Sequence, residues 1–376
     1  MALPFWFSLA VLVYTFAGYP VLMFLLGKLF KRKVAKAAPT HLPSVSVVLV
    51  AHNEEKRIAA RLENLLASNY PTGQLEIIVV SDGSTDATAD NVKSFSGQRV
   101  RLIECARRSG KACGLNTGVA AATGEIIVFC DARQRFTMET ILELVSNFSD
   151  PRVGAVSGNN HIDSAASAVG GGVDLYWRME KFIRHAECGW DSSIGCTGAI
   201  YAIRRKLFQN IADDTILDDV VIPMQIAAQN YRIVFDHSAQ SFDPQPNEPE
   251  HEQRRKRRTL AGNFQMLFRF PQWLVPWKNR LWWQLISHKY LRIAAPLFLA
   301  LLFLSNAALI DQPLFRILFL AQTFFYLLAG LGLTFSSIKL PLFSIPAGFC
   351  FLNLMTVGGF WNYLRGAYRG GQWKSK

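Results

Sequence analysis

VSVVLVAHNEE at 45–55 and LEIIVVSDGSTD at 75–86 share one plan: a β-branched apolar run, too short for a long helix, closed by small, polar or acidic residues. Buried parallel strands read this way because both of their faces are covered. EIIVFCDAR at 125–133 repeats the plan and ends at Asp131. In open α/β sheets, ligands bind beyond the carboxyl ends of the strands. Three such ends with polar tips predict a site and not merely a core.

Working outward, Glu54–Ala67 has the period of an amphipathic helix, with Ile58, Leu62, Leu65 and Leu66 on one face. Asp82 to Asp86 opens a second helix, expected over Thr85–Phe95. Its N-terminus suits an anion, or a carboxylate aimed back at a ligand's hydroxyls. The competing role for Asp82 and Asp86 is a turn followed by an N-cap. Strands keep alternating with helical patterns over Leu42–Asp243, which predicts an α/β domain.

The 376 residues have room for two domains, but half are hydrophobic and the mean hydropathy is +0.16, which argues against a wholly soluble protein. Phe5–Leu29 is long enough to cross a bilayer and lacks the basic start and Ala-x-Ala site of a cleaved signal. Leu291–Ile310, Leu314–Phe335 and Leu340–Leu364 are three further spans, with Asp311 and Lys339 in the connections. Lys28, Lys31, Arg32, Lys33 and Lys36 after the first span place the middle of the chain in the cytoplasm, at an inner or plasma membrane. Arg365, Arg369, Lys374 and Lys376 also prefer the inside, so a re-entrant or interfacial last segment stays open beside a full span. The expected organisation is an anchor and basic linker at 1–40, a catalytic domain at 41–243, basic and aromatic interfacial helices at 244–290, and apolar spans with a basic tail at 291–376.

The net charge of +12 clusters beside the spans and around Arg254–Arg258, which suits lipid headgroups and a diphosphate better than nucleic acid. The six cysteines form no CxxC pair and five lie in the middle region, so reduced thiols are expected. His185, Cys188 and Cys196 lack a fourth metal ligand at a suitable spacing. Trp273, Trp277, Trp282 and Trp283 read as headgroup-level aromatics on amphipathic helices, with sugar stacking as their second role.

AHNE at 51–54, VVSDGSTD at 79–86, GKACGLNTG at 110–118, FCDAR at 129–133, GCTGAIYAIRR at 195–205 and LDDVVIPMQIAAQNYRIVF at 217–235 follow an order and spacing seen elsewhere. Together they resemble family-two glycosyltransferases, an inverting family with the GT-A fold, over about 200 residues. With the flanking spans, the chain resembles the membrane-embedded branch that includes cellulose, hyaluronan and poly-N-acetylglucosamine synthases and the ceramide glucosyltransferases. The resemblance implies a GT-A nucleotide-sugar domain flanked by transmembrane helices.

Carried over by motif, the resemblance puts Asn53, Glu54 and the Ala51 backbone in the nucleoside pocket, Asp82 on the base or ribose, and Lys111 beside the nucleotide-sugar. Arg107 and Arg108 are adjacent alternatives to Lys111. Asp131 matches the first acid of the DxD motif, which holds Mg2+ or Mn2+ against the diphosphate. The third position is Arg133, so either Asp131 suffices with water and phosphate oxygens, or Arg133 faces the diphosphate, or it turns to solvent.

Asp218-Asp219 matches the acid pair whose second member is the base, here Asp219. Gly195–Gly198 would form an acceptor wall, or equally a tight turn. RRKRRTLAGNFQ at 254–265 lies where relatives carry QxxRW, with Arg255 for Gln, Arg258 for Arg and Thr259 for Trp. Only Arg258 keeps the motif's residue, as a cation for the leaving diphosphate.

The first reading is transfer of a sugar, from UDP by the family's habit, to a surface or extracellular polysaccharide. The alternative is transfer of one sugar to a lipid. A nucleotide-sugar-binding scaffold without turnover is the reading from another class. Donor, glycan or lipid acceptor, membrane lipids and a possible export subunit are the expected partners, without nucleic acid.

Overall fold

The computed structural model describes residues 2–36, 42–162, 170–243, 249–335 and 340–368. Lys339, Arg369, Lys374 and Lys376 lie outside the described residues. The strands are β1 Val45–Ala51, β2 Leu75–Asp82, β3 Val100–Cys105, β4 Ile126–Cys130, β5 Arg135–Phe136, β6 Val153–Ile162, β7 Ile200–Arg204 and β8 Arg232–Asp243. They form one sheet in the order β3-β2-β1-β4-β7-β6-β8-β5. β1 pairs in parallel with β2 on one side and β4 on the other, while β7 runs antiparallel to β4. The chain therefore reverses its direction of winding at β1, and a ligand crevice opens at such a switch point.

The helices are α1 Ala2–Val13, α2 Tyr19–Leu29, α3 Ile58–Leu66, α4 Thr88–Lys93, α5 Lys111–Ala121, α6 Thr140–Ser146, α7 Gly170–Trp190, α8 Asp218–Ala228, α9 Pro249–Arg269, α10 Trp282–Gln284, α11 Leu291–Ala307, α12 Pro313–Thr334 and α13 Pro341–Leu364. Val47, Leu49, Ile77 and Val79 meet Ile58, Leu62 and Leu65 of α3 on one face of the sheet. The alternate residues Val48, Val50, Ile78 and Val80 meet Ala112, Leu115 and Val119 of α5 on the other. This period-2 sorting explains why the strands read as unbroken apolar runs: both faces are buried.

α5 lies unusually close to the sheet. A Cβ at Gly114 would stand 2.6 Å from Val50 Cγ1, and one at Gly118 2.5 Å from Val48 Cγ1. Glycine at both positions lets the helix seat its first residue, Lys111, over the strand ends. Gly118→Ala is expected to overpack this contact and cost about 1–3 kcal/mol. A lower melting temperature of the purified protein checks it.

Four stretches among the described residues are long and apolar enough to cross a membrane: Ala2–Leu29, Trp282–Ala307, Pro313–Thr334 and Pro341–Leu364. The first joins α1 and α2 through a π-helical turn, Tyr14–Gly18; the second joins α10 and α11 through another, Leu285–Tyr290. Phe5, Leu12, Ala295, Leu302 and Phe315 pack these helices together. Leu304, Ile317 and Leu320 stay largely exposed, as lipid-facing residues do. α13 is a single helix of spanning length, which favours a full span over a re-entrant one.

The second span begins nine residues earlier than the sequence suggests, at Trp282 instead of Leu291. The aromatic segment is corrected accordingly. Trp277 is 85% exposed, as a headgroup-level residue should be, but Trp273 is buried. Trp283 Nε1 donates to Tyr14 Oη at 2.8 Å and so joins two spanning stretches. The expected helices Glu54–Ala67 and Thr85–Phe95 are shorter than their patterns, because their first turns are spent on loop contacts.

Candidate active site

Register sets the geometry of the strand ends. Ala51 lies opposite Ser81, and Leu49 opposite Cys130, so Asp82 and Asp131 emerge on the same edge of the sheet as Asn53 and Glu54. Asn53 has a φ of +52°. Its Oδ1 accepts from Thr85 N at 2.9 Å, and Glu54 N donates to Thr88 Oγ1 at 2.8 Å. Glu54 also pairs with Arg57 at 3.2 Å. These contacts staple the loop after β1 to the loop after β2. Asp86 accepts from Thr88 N at 3.0 Å in the manner of a cap. Burial opposes its charge, but the Thr88 hydroxyl and backbone amides hold its carboxyl below the usual carboxylate range.

Asp82 is fully buried, and its two oxygens accept from Ser109 N at 2.6 Å and Gly110 N at 2.9 Å. The sequence suggested a ligand acceptor or a cap; the structure gives it the loop before α5. That loop presses so closely on the end of β2 that a Cβ at Gly83 would stand 2.3 Å from Arg108 N, and Gly83 has a φ of +60°. Asp82 thereby aims Lys111.

Lys111 Nζ stands 3.0 Å from Asp131 Oδ1 and 3.5 Å from Asp218 Oδ2. Among the expected cations, this is the one that joins the third strand end to the acid pair. Asp131 keeps 39% of its side chain exposed. Dense packing around it opposes ionisation, yet Lys111, Arg133 and Arg258 outweigh this and hold its carboxyl below the usual range. Burial works against the Lys111 charge too, but Asp131 and Asp218 keep its ammonium protonated well above neutral pH.

Arg133 has a protein partner. Its Nη2 pairs with Asp243 at 2.6 Å, where Gln134 Nε2 also donates at 3.2 Å and Arg255 approaches to 3.6 Å. Asp243 is buried, so it draws the two arginines together at the end of β8. Arg258, on α9, acts electrostatically on Asp131. Arg255 thus approaches the buried acid at the end of β8, while Arg258 acts on the strand-end acid through its charge.

Asp218 and Asp219 open α8. Asp218 is buried, with the Tyr201 hydroxyl 3.4 Å from Oδ2. Burial, and then the neighbouring Asp218, push the Asp219 carboxyl up to about 6, while Lys111, Lys289 and Arg184 oppose the rise. A carboxyl tuned towards neutral pH inside a cleft marks a candidate acid–base group.

Gly195 and Gly198 seat this residue. Gly195 has a φ of +78°, and the next amide, Cys196 N, donates to Asp219 O at 2.7 Å. A Cβ at Gly198 would stand 2.9 Å from Asp219 Oδ2. Gly198→Ala is expected to displace that carboxylate and lower kcat by about 10–100-fold, in line with the cost of roughly 1 Å of misplacement. An unchanged melting temperature would separate this from a folding defect.

Sequence reasoning missed Arg184, Thr197, Tyr201 and Lys289. Arg184 bonds Thr197 Oγ1 at 3.2 Å and, with Lys289, acts on Asp219. The available signal was a lysine and an arginine inside ISHKYLRIAAPLF at 286–298, since charges in an apolar span are costly unless they serve a site. No disulfide joins any of the six cysteines. Among the described residues no group of three or more His, Cys, Asp or Glu could hold a metal ion. The donor set fits a divalent ion shared with phosphate and water through Asp131 alone, and not an all-protein cage.

Residues 46–212 match the family model described as glycosyl transferase family 2. The chain is 28% identical over 258 residues to the Bacillus subtilis protein named "Probable glycosyltransferase YdaM", covering 64% of this chain and 60% of that one. It is 23% identical over 234 residues to a poly-β-1,6-N-acetyl-D-glucosamine synthase of Staphylococcus epidermidis, covering 60% and 56%. It is 34% identical over 146 residues to a β-monoglucosyldiacylglycerol synthase of Nostoc, covering 37% and 31%. The chain thus spans less than two thirds of the length of these curated relatives.

A solved mannosyltransferase of Pyrobaculum calidifontis, in complex with GDP-Man and Mn2+, superposes with a TM-score of 0.68 at 24% identity, over 93% of this chain and 97% of that one. It shares the fold. With its motifs gathered at one edge of a GT-A-like sheet and spanning-length apolar helices on either side, the chain carries over residues 46–212 a domain that matches glycosyl transferase family 2.

Proposed function

We propose that this enzyme transfers one sugar from a nucleotide-sugar to a lipid acceptor at the cytoplasmic face of a membrane, with inversion at the anomeric carbon. The observation that carries this reading is the surroundings of Asp219, which is influenced by Lys111 from the donor side and by Lys289, inside a spanning stretch, from the membrane side. The acceptor hydroxyl oxygen attacks the anomeric carbon as the bond from that carbon to the diphosphate breaks. The hydroxyl proton passes to Asp219, and the nucleoside diphosphate leaves with the bonding electrons.

Lys111 and Arg258 place positive charge near Asp131, where the diphosphate would sit, and so stabilise its departure. A divalent ion, when bound, would add charge neutralisation there through Asp131. Asn53, Glu54 and the Ala51 backbone are proposed to rim the nucleoside pocket. Asp82, whose two oxygens each accept one loop amide, keeps lone pairs to turn towards the base or ribose. Arg133, Arg255 and Gly198 contribute by holding that frame. The regions 1–40, 41–243, 244–290 and 291–376 serve as anchor, catalytic domain, interfacial segment and membrane bundle.

Extension of a polysaccharide is the second reading, supported by the similarity to a poly-N-acetylglucosamine synthase. Nucleotide release from the purified protein with UDP-, GDP- and dTDP-sugars, with and without Mg2+ or Mn2+, tests the reading. Turnover of one donor supports it, and no release with native lipids added back would move the case to a scaffold.

The pH dependence follows from Asp219. A base must be ionised, so kcat/KM should rise with pH through about 6 and level off above it. Stability runs the other way. An unfolded Asp titrates near about 3.9, so ionising the native carboxyl between about 4 and 6 opposes folding. A pH–rate profile beside a pH–melting profile checks both signs.

A further inference from the structure

The membrane side of Asp219 holds more positive charge than its own structure uses. His288 is fully buried, with Nδ1 2.9 Å from Glu187 Oε1 and Nε2 2.9 Å from Glu180 Oε2. Each ring nitrogen faces a carboxylate oxygen. Glu180 also pairs with Arg184 at 3.1 Å and with Arg292 at 2.9 Å, and Glu187 accepts from Tyr19 Oη at 2.5 Å. Lys289 completes the group. It makes no hydrogen bond or ion pair among the described residues, and the charges acting on it are Glu180, Arg184, Asp219 and Arg292.

Arg292 has 10% of its side chain exposed, and its Nε and Nη2 are buried without a hydrogen-bond partner. Lys289 and two guanidinium nitrogens of Arg292 are therefore left without an acceptor among the described residues. They lie in an apolar spanning stretch, where a charge without a partner is expensive and marks a site. Lys289 moreover sits on the π-helical turn Leu285–Tyr290, a distortion that recurs at functional sites.

Resting on the proposed transfer to a lipid, we infer that Lys289, with Arg184 and Arg292, forms an acceptor subsite for an anionic phosphate group, placed so that a hydroxyl of the same acceptor reaches Asp219. This subsite is separate from the donor cations, since Lys111 is held at Asp131 and Asp218. A phosphate would meet an ammonium and free guanidinium donors in a low-dielectric setting, where such charge-assisted bonds are strongest. The phosphate could belong to a phospholipid headgroup or to a soluble phosphorylated acceptor, and the same chemistry serves both.

The test is a tryptophan-fluorescence titration of the full-length protein in neutral detergent with dioctanoyl phosphatidylglycerol and, separately, dioctanoylglycerol. Saturable binding of the phosphatidylglycerol alone is expected, weakened about tenfold or more in Lys289→Met and kept within about threefold in Lys289→Arg. Equal binding of dioctanoylglycerol, or unchanged affinity in Lys289→Met, would overturn the subsite. Inorganic phosphate is the second arm: displacement of the lipid at millimolar phosphate assigns the anion to a soluble source, and failure to displace assigns it to a phospholipid. Asp219→Asn separates the two readings. It should bind the phosphatidylglycerol at least as tightly as wild type, whereas unchanged turnover in that variant would count against the functional reading alone.

Discussion

Asp219→Asn should lower kcat about a thousandfold, within the range of about 10²–10⁴ that a positioned base supplies, and leave KM for the donor nearly unchanged. The amide keeps the size of the carboxylate, so the contact with Gly198 and the backbone bond from Cys196 N to Asp219 O survive. What is lost is the one group in the pair able to accept a proton near neutral pH. Its neighbour cannot replace it, because Asp218 is buried and committed to Lys111 and Tyr201. Asp218→Asn therefore gives a contrasting result. Asp218 raises the Asp219 carboxyl, so removing its charge should move the acid limb of the pH–rate profile to lower pH. Steady-state kinetics of both variants over pH 5–9 measures these effects. A rise in KM alone for Asp219→Asn, with kcat intact, would assign Asp219 to binding.

Lys111→Met should cost about a hundredfold in kcat/KM, as the loss of a charge-stabilising donor typically does. Three acids lean on this ammonium: Asp131, Asp218 and, at longer range, Asp219. Without it, Asp131 keeps only the more distant Arg133 and Arg258, and the diphosphate meets a net negative floor. The variant also has a signature that simple misfolding lacks. Lys111 holds the Asp219 carboxyl down, so its removal should shift the acid limb to a pH above about 6, opposite in sign to Asp218→Asn. Lys111→Arg should recover the pH profile more fully than the rate, because the charge returns but its reach differs.

Much of this architecture was legible from two strands. The runs 45–51 and 75–82 are apolar at nearly every position because α3 and α5 cover opposite faces, and their polar ends mark the crevice. The acid pair was legible through the resemblance, since it matches the family's motif at the distance that motif keeps after the turn 195–198. Asp82 and Arg133 were harder to place. A buried carboxylate is equally content with a ligand's donors or with two loop amides, and nothing local tells them apart.

Arg133 illustrates a second limit. Its partner Asp243 is 110 residues away and reaches it only because β8 runs along the far side of the sheet. The same holds for the partners of Lys289: its charge inside an apolar run was visible, but Glu180 and Arg184 act on it only because α7 packs there.

The most direct measurement is product analysis. The full-length protein in vesicles containing phosphatidylglycerol would be supplied with nucleotide-sugars labelled in the sugar, and the reaction partitioned between chloroform and water. One donor is expected whose label moves into a single organic-phase glycolipid, with nucleoside diphosphate released in equal amount and the anomeric configuration inverted relative to the donor. Label retained in the aqueous donor, or carried into a ladder of polymer lengths, would contradict transfer of one sugar to a membrane lipid.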